Sequence, residues 1–205
     1  MKATGLIALA CVAALTAACG GDGRDEATTA EIAQGQSVGT TGELNTGASG
    51  DARHFAEQAA KRGAAEVELG RLAAERSANA EVKQFAQMMV SDHTRAGDEL
   101  RQASSANGLQ LVGELPDDSA QLMQKLQGLQ GPEFDREYMD AMVEAHKEMR
   151  SMVSRRVDDA RLMTDNSALE TAINGWAATA LPKVEAHLAM AEKIDAMLDG
   201  DHETR

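Results

Sequence analysis

The sequence is poor in aromatic residues, which make up only 2% of its 205 positions. An all-β core normally uses many aromatic and β-branched side chains, so this composition disfavours a protein built from sheets. The abundant residues are instead Ala, Glu, Gln, Met, Leu and Arg, which are good helix formers. The eleven methionines also supply flexible side chains that fill gaps in a core with few rings. The composition therefore predicts an all-α protein.

Basic residues are also few, because 20 Lys and Arg stand against 33 Asp and Glu, giving a formal net charge of -13. Such an acidic surface repels the phosphates of nucleic acids, and no basic stripe interrupts it. We therefore predict that the protein has no nucleic-acid partner.

The first eighteen residues have the pattern of a secretory signal peptide. Lys2 gives a positive start, and residues 6–18 then run without a charge. As a helix this run is ~20 Å long, against about 30 Å of hydrocarbon, so it is too short to span a membrane comfortably. A positive start, a short apolar run and small residues at its end are typical of a leader that is cleaved. Residues 1–18 are therefore predicted to be a signal peptide.

The leader ends in Thr16-Ala17-Ala18-Cys19, which resembles a bacterial lipobox. That resemblance implies that Cys19 is lipidated and becomes the new N-terminus, so that its acyl chains anchor the protein to a membrane. Gly20 follows, where an Asp would be the usual inner-membrane retention signal. We therefore predict an outer-membrane lipoprotein that faces the periplasm. The alternative is plain secretion, with cleavage near Ala18 and a free thiol. With Cys11 lost in the leader, no disulfide is expected.

The stretch 19–50 is rich in Gly, Thr and Ser and has no aromatic residue. It has too few apolar residues to order itself by burial, so it is predicted to be a flexible tether with a reach of roughly 30 Å. Residues 51–199 are predicted to form the folded domain, and residues 200–205 a polar tail.

Four long helices are predicted in residues 51–199, because the apolar residues recur there with helical spacing. The first runs from about Asp51 to Ala78, and the second follows Asn79, a good N-cap. The third begins after Gly131-Pro132, where a proline in the first turn costs no hydrogen bond. The fourth is capped near Asp165 to Ser167, and Pro182 inside it should kink it or loosen one turn.

The connections between the predicted helices indicate how they pack. Short turns join the first helix to the second and the third to the fourth, so each pair should form an antiparallel hairpin. The segment 107–131 between the hairpins includes a short amphipathic stretch at 119–129 and is long enough to cross the length of a bundle. Two hairpins joined by one long crossover form a ferritin-like four-helix bundle.

Five short segments of the predicted bundle also carry a family resemblance. They are Glu66–Gly70, Phe85–His93, Phe134–Tyr138, Met142–His146 and Leu181–His187. Together they resemble the bacterial family named domain of unknown function 4142, which is placed among ferritin-like helical bundles. The resemblance covers about residues 55–194 and implies the bundle fold. It implies no activity, because the family has no established activity to carry over.

Four polar residues interrupt the apolar stripes of the four helices, namely Glu66, His93, His146 and His187. Measured from helix ends that should meet at one end of the bundle, their levels differ by less than one turn. Buried polar groups need partners, and one metal ion would satisfy all four. This ligand set suits Zn(II), Fe(II), Mn(II) or Cu(II). The alternative, which stays open, is a structural hydrogen-bond cluster with Glu66 ionised against the histidines.

Three methionines add a soft-metal alternative to this site. Met89, Met142 and Met149 lie a turn from His93 or His146 on the same predicted faces. Thioethers beside imidazoles suit Cu(I), whereas simple packing in a core with few rings is the other explanation.

Ferroxidase chemistry is not predicted, because di-iron bundles use Glu-x-x-His on two helices and this spacing does not occur in the sequence. Glu144 and Glu185 each lie two residues before a histidine, so on a helix they face away from it, toward solvent. No nucleophile–base pair, phosphate loop or haem motif is present either. We therefore expect a metal-binding bundle, or alternatively a tethered module that binds another envelope protein. The sequence favours a protein without enzymatic activity. A metal-dependent enzyme is the third alternative.

Overall fold

A computed structural model describes residues 46–112, 115–164 and 166–203 of the chain. This part contains no strand and five helices: α1 (Thr46–Arg76), α2 (Ala80–Ser105), α3 (Asp117–Gly128), α4 (Gly131–Ala160) and α5 (Ala168–Glu203). The all-α prediction is confirmed. None of the helices in these ranges is long and apolar enough to cross a membrane. The predicted signal peptide, Cys19 and the tether as far as residue 45 lie outside the described residues.

The four long helices pack as two hairpins. α1 packs along α2 and α4 packs along α5, while α2 and α5 form the largest contact between the two pairs. The crossover between the hairpins contains the short helix α3, which rests on α4. This is the predicted arrangement of two hairpins joined by a long crossover with a short helix.

Three of the long helices begin at residues that the sequence analysis identified as helix starts. The side chain of Asn79 accepts hydrogen bonds from two backbone N–H groups in the first turn of α2, at 2.9 and 3.2 Å. Pro132 lies in the first turn of α4, as predicted. Ser167 precedes α5, and its Oγ accepts a hydrogen bond from the N–H of Glu170 at 3.3 Å. These three residues mark where α2, α4 and α5 begin, and so set the level of each later residue along its helix.

Two helix ends lie beyond the predicted bounds. α1 begins at Thr46, within the stretch predicted to be tether, and α5 extends to Glu203, past residue 199. These ends carry few apolar residues, so the hydrophobic pattern did not predict them. They are helical because each added residue continues the backbone hydrogen bonding of the turn next to it. α5 also continues through Pro182 as one helix, with the proline on its exposed side.

The core consists of two apolar clusters with a polar layer between them. One cluster surrounds Phe85 on α2 and the other surrounds Phe55 on α1, and all four long helices contribute to both. On each long helix one buried polar residue lies between the positions that belong to the two clusters. These residues are Glu66, His93, His146 and His187, and they are called the core cluster below. Apolar side chains therefore enclose this polar layer along the bundle axis.

Candidate metal centre

The structure brings the four predicted ligand residues together. All are buried, and His146 has no exposed surface. The centroids of the three imidazole rings lie 5.4–5.6 Å from one another. One nitrogen from each ring can be chosen so that the three atoms lie within 4.8 Å of one another. They meet because they stand at the same level of four packed helices and on the buried side of each one.

Glu66 contacts two of the three rings. Its Oε2 atom is 2.8 Å from Nε2 of His93 and 3.7 Å from Nε2 of His146. Glu66 and His93 thus form a close buried ion pair, whereas Nε2 of His146 has no hydrogen-bond partner in the part of the chain that is described.

Hydrogen bonds outside the cluster orient two of the rings. Nδ1 of His146 donates to the carbonyl oxygen of Met142 at 2.9 Å, which leaves a lone pair on Nε2, facing Glu66. Nε2 of His187 donates to Oδ2 of Asp92 at 3.0 Å, which leaves a lone pair on Nδ1. That Nδ1 atom is buried and has no hydrogen-bond partner among the described residues. A second hydrogen bond of this kind fixes the tautomer and orientation of histidines that bind metals.

The pKa values reflect burial and mutual attraction. Burial disfavours the ionised form of Glu66, but the positive charge of the histidines, His93 foremost, outweighs it and lowers the pKa of the carboxyl to about 2. Burial likewise disfavours charge on His93, but the carboxylate of Glu66 outweighs it and raises the pKa of the ring. For His187 burial dominates and lowers the pKa, although Asp92 opposes it. Without a metal, the cluster therefore holds an ionised carboxylate beside a ring that readily carries a proton.

The donor atoms fit a transition-metal ion. Nε2 of His93, Nε2 of His146, Nδ1 of His187 and Oε2 of Glu66 are three imidazole nitrogens and one carboxylate oxygen. Zn(II) binds such atoms at about 2.0–2.2 Å, which places tetrahedral ligand atoms roughly 3.4 Å apart. One nitrogen of each ring can be chosen so that the three atoms lie within 4.8 Å of one another, so the rings need to close by about 1 Å or less around an ion. Glu66 is not part of that group of three and reaches the site through its contacts with His93 and His146.

The other residues singled out in the sequence lie around this centre. Met89, Met142 and Met149 are buried within the apolar clusters, where packing accounts for them, and the soft-metal alternative stays a prediction. Glu144 and Glu185 are exposed, as predicted. Glu66 is thus the one buried carboxylate that contacts the rings among the described residues, which is too few to bridge two irons.

Asp92 is the functional residue that sequence reasoning missed. It lies next to His93 in the chain, but its side chain points to α5, where it contacts His187. The residue that it orients is 95 positions away, so no local spacing in the sequence reveals the pair. An acidic residue adjacent to a core histidine was the only available signal.

Comparisons with known proteins give the family of the chain. No curated protein and no solved structure matched it. The sequence model of one family, described as "Domain of unknown function (DUF4142)", matches residues 38–194. That span includes every residue of the core cluster and exceeds the 55–194 range of the expected resemblance. The chain therefore belongs to the DUF4142 family, whose description names a domain and no activity.

Proposed function

We propose that this protein is a lipid-anchored envelope protein whose bundle binds one transition-metal ion through Glu66, His93, His146 and His187. A single observation carries the metal proposal. Beside the ion pair of Glu66 and His93, Nε2 of His146 and Nδ1 of His187 are buried and have no hydrogen-bond partner among the described residues. One cation placed among the four residues would bind both of these nitrogens and would also contact the carboxylate.

A purely structural network explains the ion pair of Glu66 and His93 but leaves two ring nitrogens, on His146 and His187, without a hydrogen-bond partner among the described residues. A network that exists for stability pairs its buried donors and acceptors, because each buried polar atom without a partner costs about 1–3 kcal/mol. Here the polar bonds that are well formed lie outside the cluster, from His146 to Met142 and from His187 to Asp92. Those two bonds orient the rings so that the lone pairs of the other nitrogens point into the cluster. This orientation suits a cation, and it forms no hydrogen bond between members of the cluster.

The donor set narrows the choice of ion without naming it. Imidazole nitrogen with one carboxylate oxygen suits Zn(II), Fe(II), Mn(II) or Cu(II). Cu(I) is the soft alternative, for which Met89, Met142 and Met149 would be the additional ligands. Binding of the ion is the proposed role, and no reaction is assigned to it.

Metal binding is tested on the mature chain with Cys19→Ala, which keeps it free of lipid. We expect about one ion per chain and a higher melting temperature, since an ion at a hundredfold excess over its Kd stabilises the folded state by about 2.7 kcal/mol. His187→Ala should abolish the metal-dependent shift, whereas His54→Ala, an exposed histidine on α1, should keep it. The structural alternative predicts no shift in the wild type and a lower melting temperature for His187→Ala even in chelator.

The location is proposed from the sequence of residues 1–20 alone. The lipobox-like Thr16-Ala17-Ala18-Cys19 and the following Gly20 support an anchor in the outer membrane, with the bundle in the periplasm. Cells that are fed a labelled fatty acid should label the wild type and leave Cys19→Ala unlabelled. Equal labelling of both proteins would refute the anchor. If the anchor is found and no metal binds, the protein is better explained as a tethered module that binds another envelope protein.

A further inference from the structure

A groove of about 230 Å³ lies between α1 and α4, beside the start of α3. Glu66 lines it, together with Met142, whose carbonyl oxygen orients the ring of His146. The two apolar clusters close the core cluster along the bundle axis, so an ion has to reach it from the side, between two helices. The groove is such an opening, and it is bordered by the carboxylate of the core cluster.

The carboxylate of Glu66 joins the groove to the proposed metal position. Its Oε2 atom is 2.8 Å from Nε2 of His93 and 3.7 Å from Nε2 of His146, and these are two of the nitrogens proposed as ligands. The side chain of Glu66 keeps 4% of its surface exposed, whereas that of His146 keeps none. An ion in the groove therefore meets the carboxylate before it meets the ring of His146.

A smaller cavity, of about 40 Å³, borders the cluster from another side, between α1, α2 and α5. His93 and His187 line it, but with nitrogens that are turned away from the proposed metal position. Nδ1 of His93 faces Gly63 in the wall of this cavity, and Nε2 of His187 is bound to Asp92 in the same wall. The groove between α1 and α4 is therefore the better entrance for an ion.

The charged side chains around the groove favour a cation. Asp118, Glu144 and Glu148 line its outer part, and the lining includes one basic residue, Arg62, which is paired with Glu148. The charges of that pair cancel, so the exposed carboxylates of Asp118 and Glu144 make the mouth of the groove negative. A negative opening raises the local concentration of cations and speeds their association.

Small side chains keep the groove open. Ala65 on α1 and Ala141 and Ala145 on α4 line it. The two alanines of α4 are four residues apart, so they lie on the same side of that helix, and both are half-buried. A leucine at position 141 would therefore occupy part of the groove.

We infer that a divalent metal ion enters the protein through this groove, attracted by Asp118 and Glu144 and bound by Glu66 on its way to the three histidines. The inference rests on the proposed metal site and adds an entrance to it. Asp118 and Glu144 are exposed, so water and salt screen their interaction with an ion that is already buried. They act mainly on the rate at which the ion binds.

The test follows the binding of Co(II) by stopped flow, because the visible spectrum of this ion reports its coordination. At low ionic strength the mature chain with Cys19→Ala should bind Co(II) about tenfold faster than the same chain with Asp118→Asn/Glu144→Gln. High salt should remove most of this difference. Asp98→Asn/Glu185→Gln is the matched control. It removes the same charge from exposed positions outside the groove and should bind Co(II) as fast as the wild type.

A second variant obstructs the groove itself. Ala141→Leu should slow association and dissociation of Co(II) alike, by about tenfold, because it narrows a path through a closely packed interior and replaces no ligand. Its equilibrium affinity should stay close to that of the wild type. Ala180→Leu, which fills part of the smaller cavity, should leave both rates unchanged.

The outcomes separate this inference from the metal site itself. If Co(II) does not bind at equilibrium, the proposed metal site is wrong and the inference fails with it. If Co(II) binds and neither groove variant changes its rates, only the entrance is wrong. Slower binding in Ala180→Leu alone would also overturn the inference, in favour of the smaller cavity. Should Ala141→Leu fail to fold, the surface variants decide, and equal rates for Asp118→Asn/Glu144→Gln and its control refute the entrance.

Discussion

Asp92 on α2 and His187 on α5 are joined by a hydrogen bond of 3.0 Å between Oδ2 and Nε2. Burial disfavours the charge on Asp92, but the bond from His187 outweighs it and lowers the pKa of the carboxyl. An ionised carboxylate accepts the ring proton, so the other ring nitrogen of His187 keeps its lone pair. The bond thus connects the two hairpins and also directs one donor atom into the core.

Asp92→Asn should weaken metal binding without abolishing it. The amide keeps the size of the side chain but removes the charge that holds the ring tautomer, and such outer partners typically contribute 10–100-fold to metal affinity. The affinity is measured by competition with a chromophoric chelator. Asp98→Asn is the control, because Asp98 lies on the same helix in an exposed pair with Arg101. Equal affinities for the two variants would mean that Asp92 does not act through His187.

In metal-free protein, protonation of Glu66 should lower the free energy of unfolding in acid. Its pKa is about 2 in the folded state, against an ordinary value of 4.5. Because the folded pKa is the lower one, ionised Glu66 stabilises the fold fully above pH 4.5, and this contribution disappears as the pH falls toward 2. Glu66→Gln should show a flatter loss of unfolding free energy over that range in urea. Glu68→Gln, at a half-exposed position two residues away, should keep the slope of the wild type, and identical slopes for both variants would contradict the assignment.

The level of the core cluster was predictable because helices have a fixed rise. Asn79 and Pro132 mark the starts of α2 and α4 in the sequence, and each residue adds 1.5 Å along the axis. His93 and His146 are therefore placed at one height by counting, provided that the crossover lets the two helices run parallel. The segment 107–131 is long enough to cross the bundle, which allows α2 and α4 to run parallel. The fold and the position of the core cluster could thus be predicted from local sequence signals and from one inference about the topology.

The surroundings of the cluster were not predictable in the same way. Side-chain pairs such as Asp92 with His187 depend on how helices rotate about their own axes, which spacing in the sequence does not report. The same limit applies to Gly63 and Gly70. Both are glycines within α1, seven residues apart, and the sequence does not distinguish them. In the structure Gly70 faces the backbone of α2, whereas a Cβ at Gly63 would meet only Nδ1 of His93, at 3.9 Å.

Replacing these two glycines by alanine should therefore change stability in opposite directions. A Cβ at Gly70 would lie 3.0 Å from the carbonyl oxygen of Ala86 and 3.1 Å from Cγ2 of Val90. Backbone cannot yield easily, so Gly70→Ala should cost about 1–3 kcal/mol by overpacking. Gly63→Ala meets nothing closer than 3.9 Å and should stabilise the helix by about 0.5–1 kcal/mol. Urea unfolding of the metal-free variants measures both, and a stabilised Gly70→Ala would show that α1 and α2 are not in such close contact.

A second buried charge pair joins the end of α4 to the start of α5, and it gives the last prediction. The guanidinium of Arg156 on α4 donates from Nη2 to Oε2 of Glu170 on α5, and both side chains are buried. The Arg156 guanidinium also lies over the ring of Phe55, 5.6 Å from its centroid. Arg156→Met or Glu170→Leu alone leaves one buried charge without its partner and should cost about 3–5 kcal/mol.

The double variant Arg156→Met/Glu170→Leu should recover most of that loss, because it leaves no charge uncompensated and keeps apolar volume in the core. The exposed pair of Asp98 and Arg101 is the control, since Asp98→Ala should cost less than about 1 kcal/mol. Unfolding in urea gives the four free energies of the cycle. If the two single losses simply add in the double variant, the buried charges do not depend on each other, and the ion pair is not what joins α4 to α5 at this end.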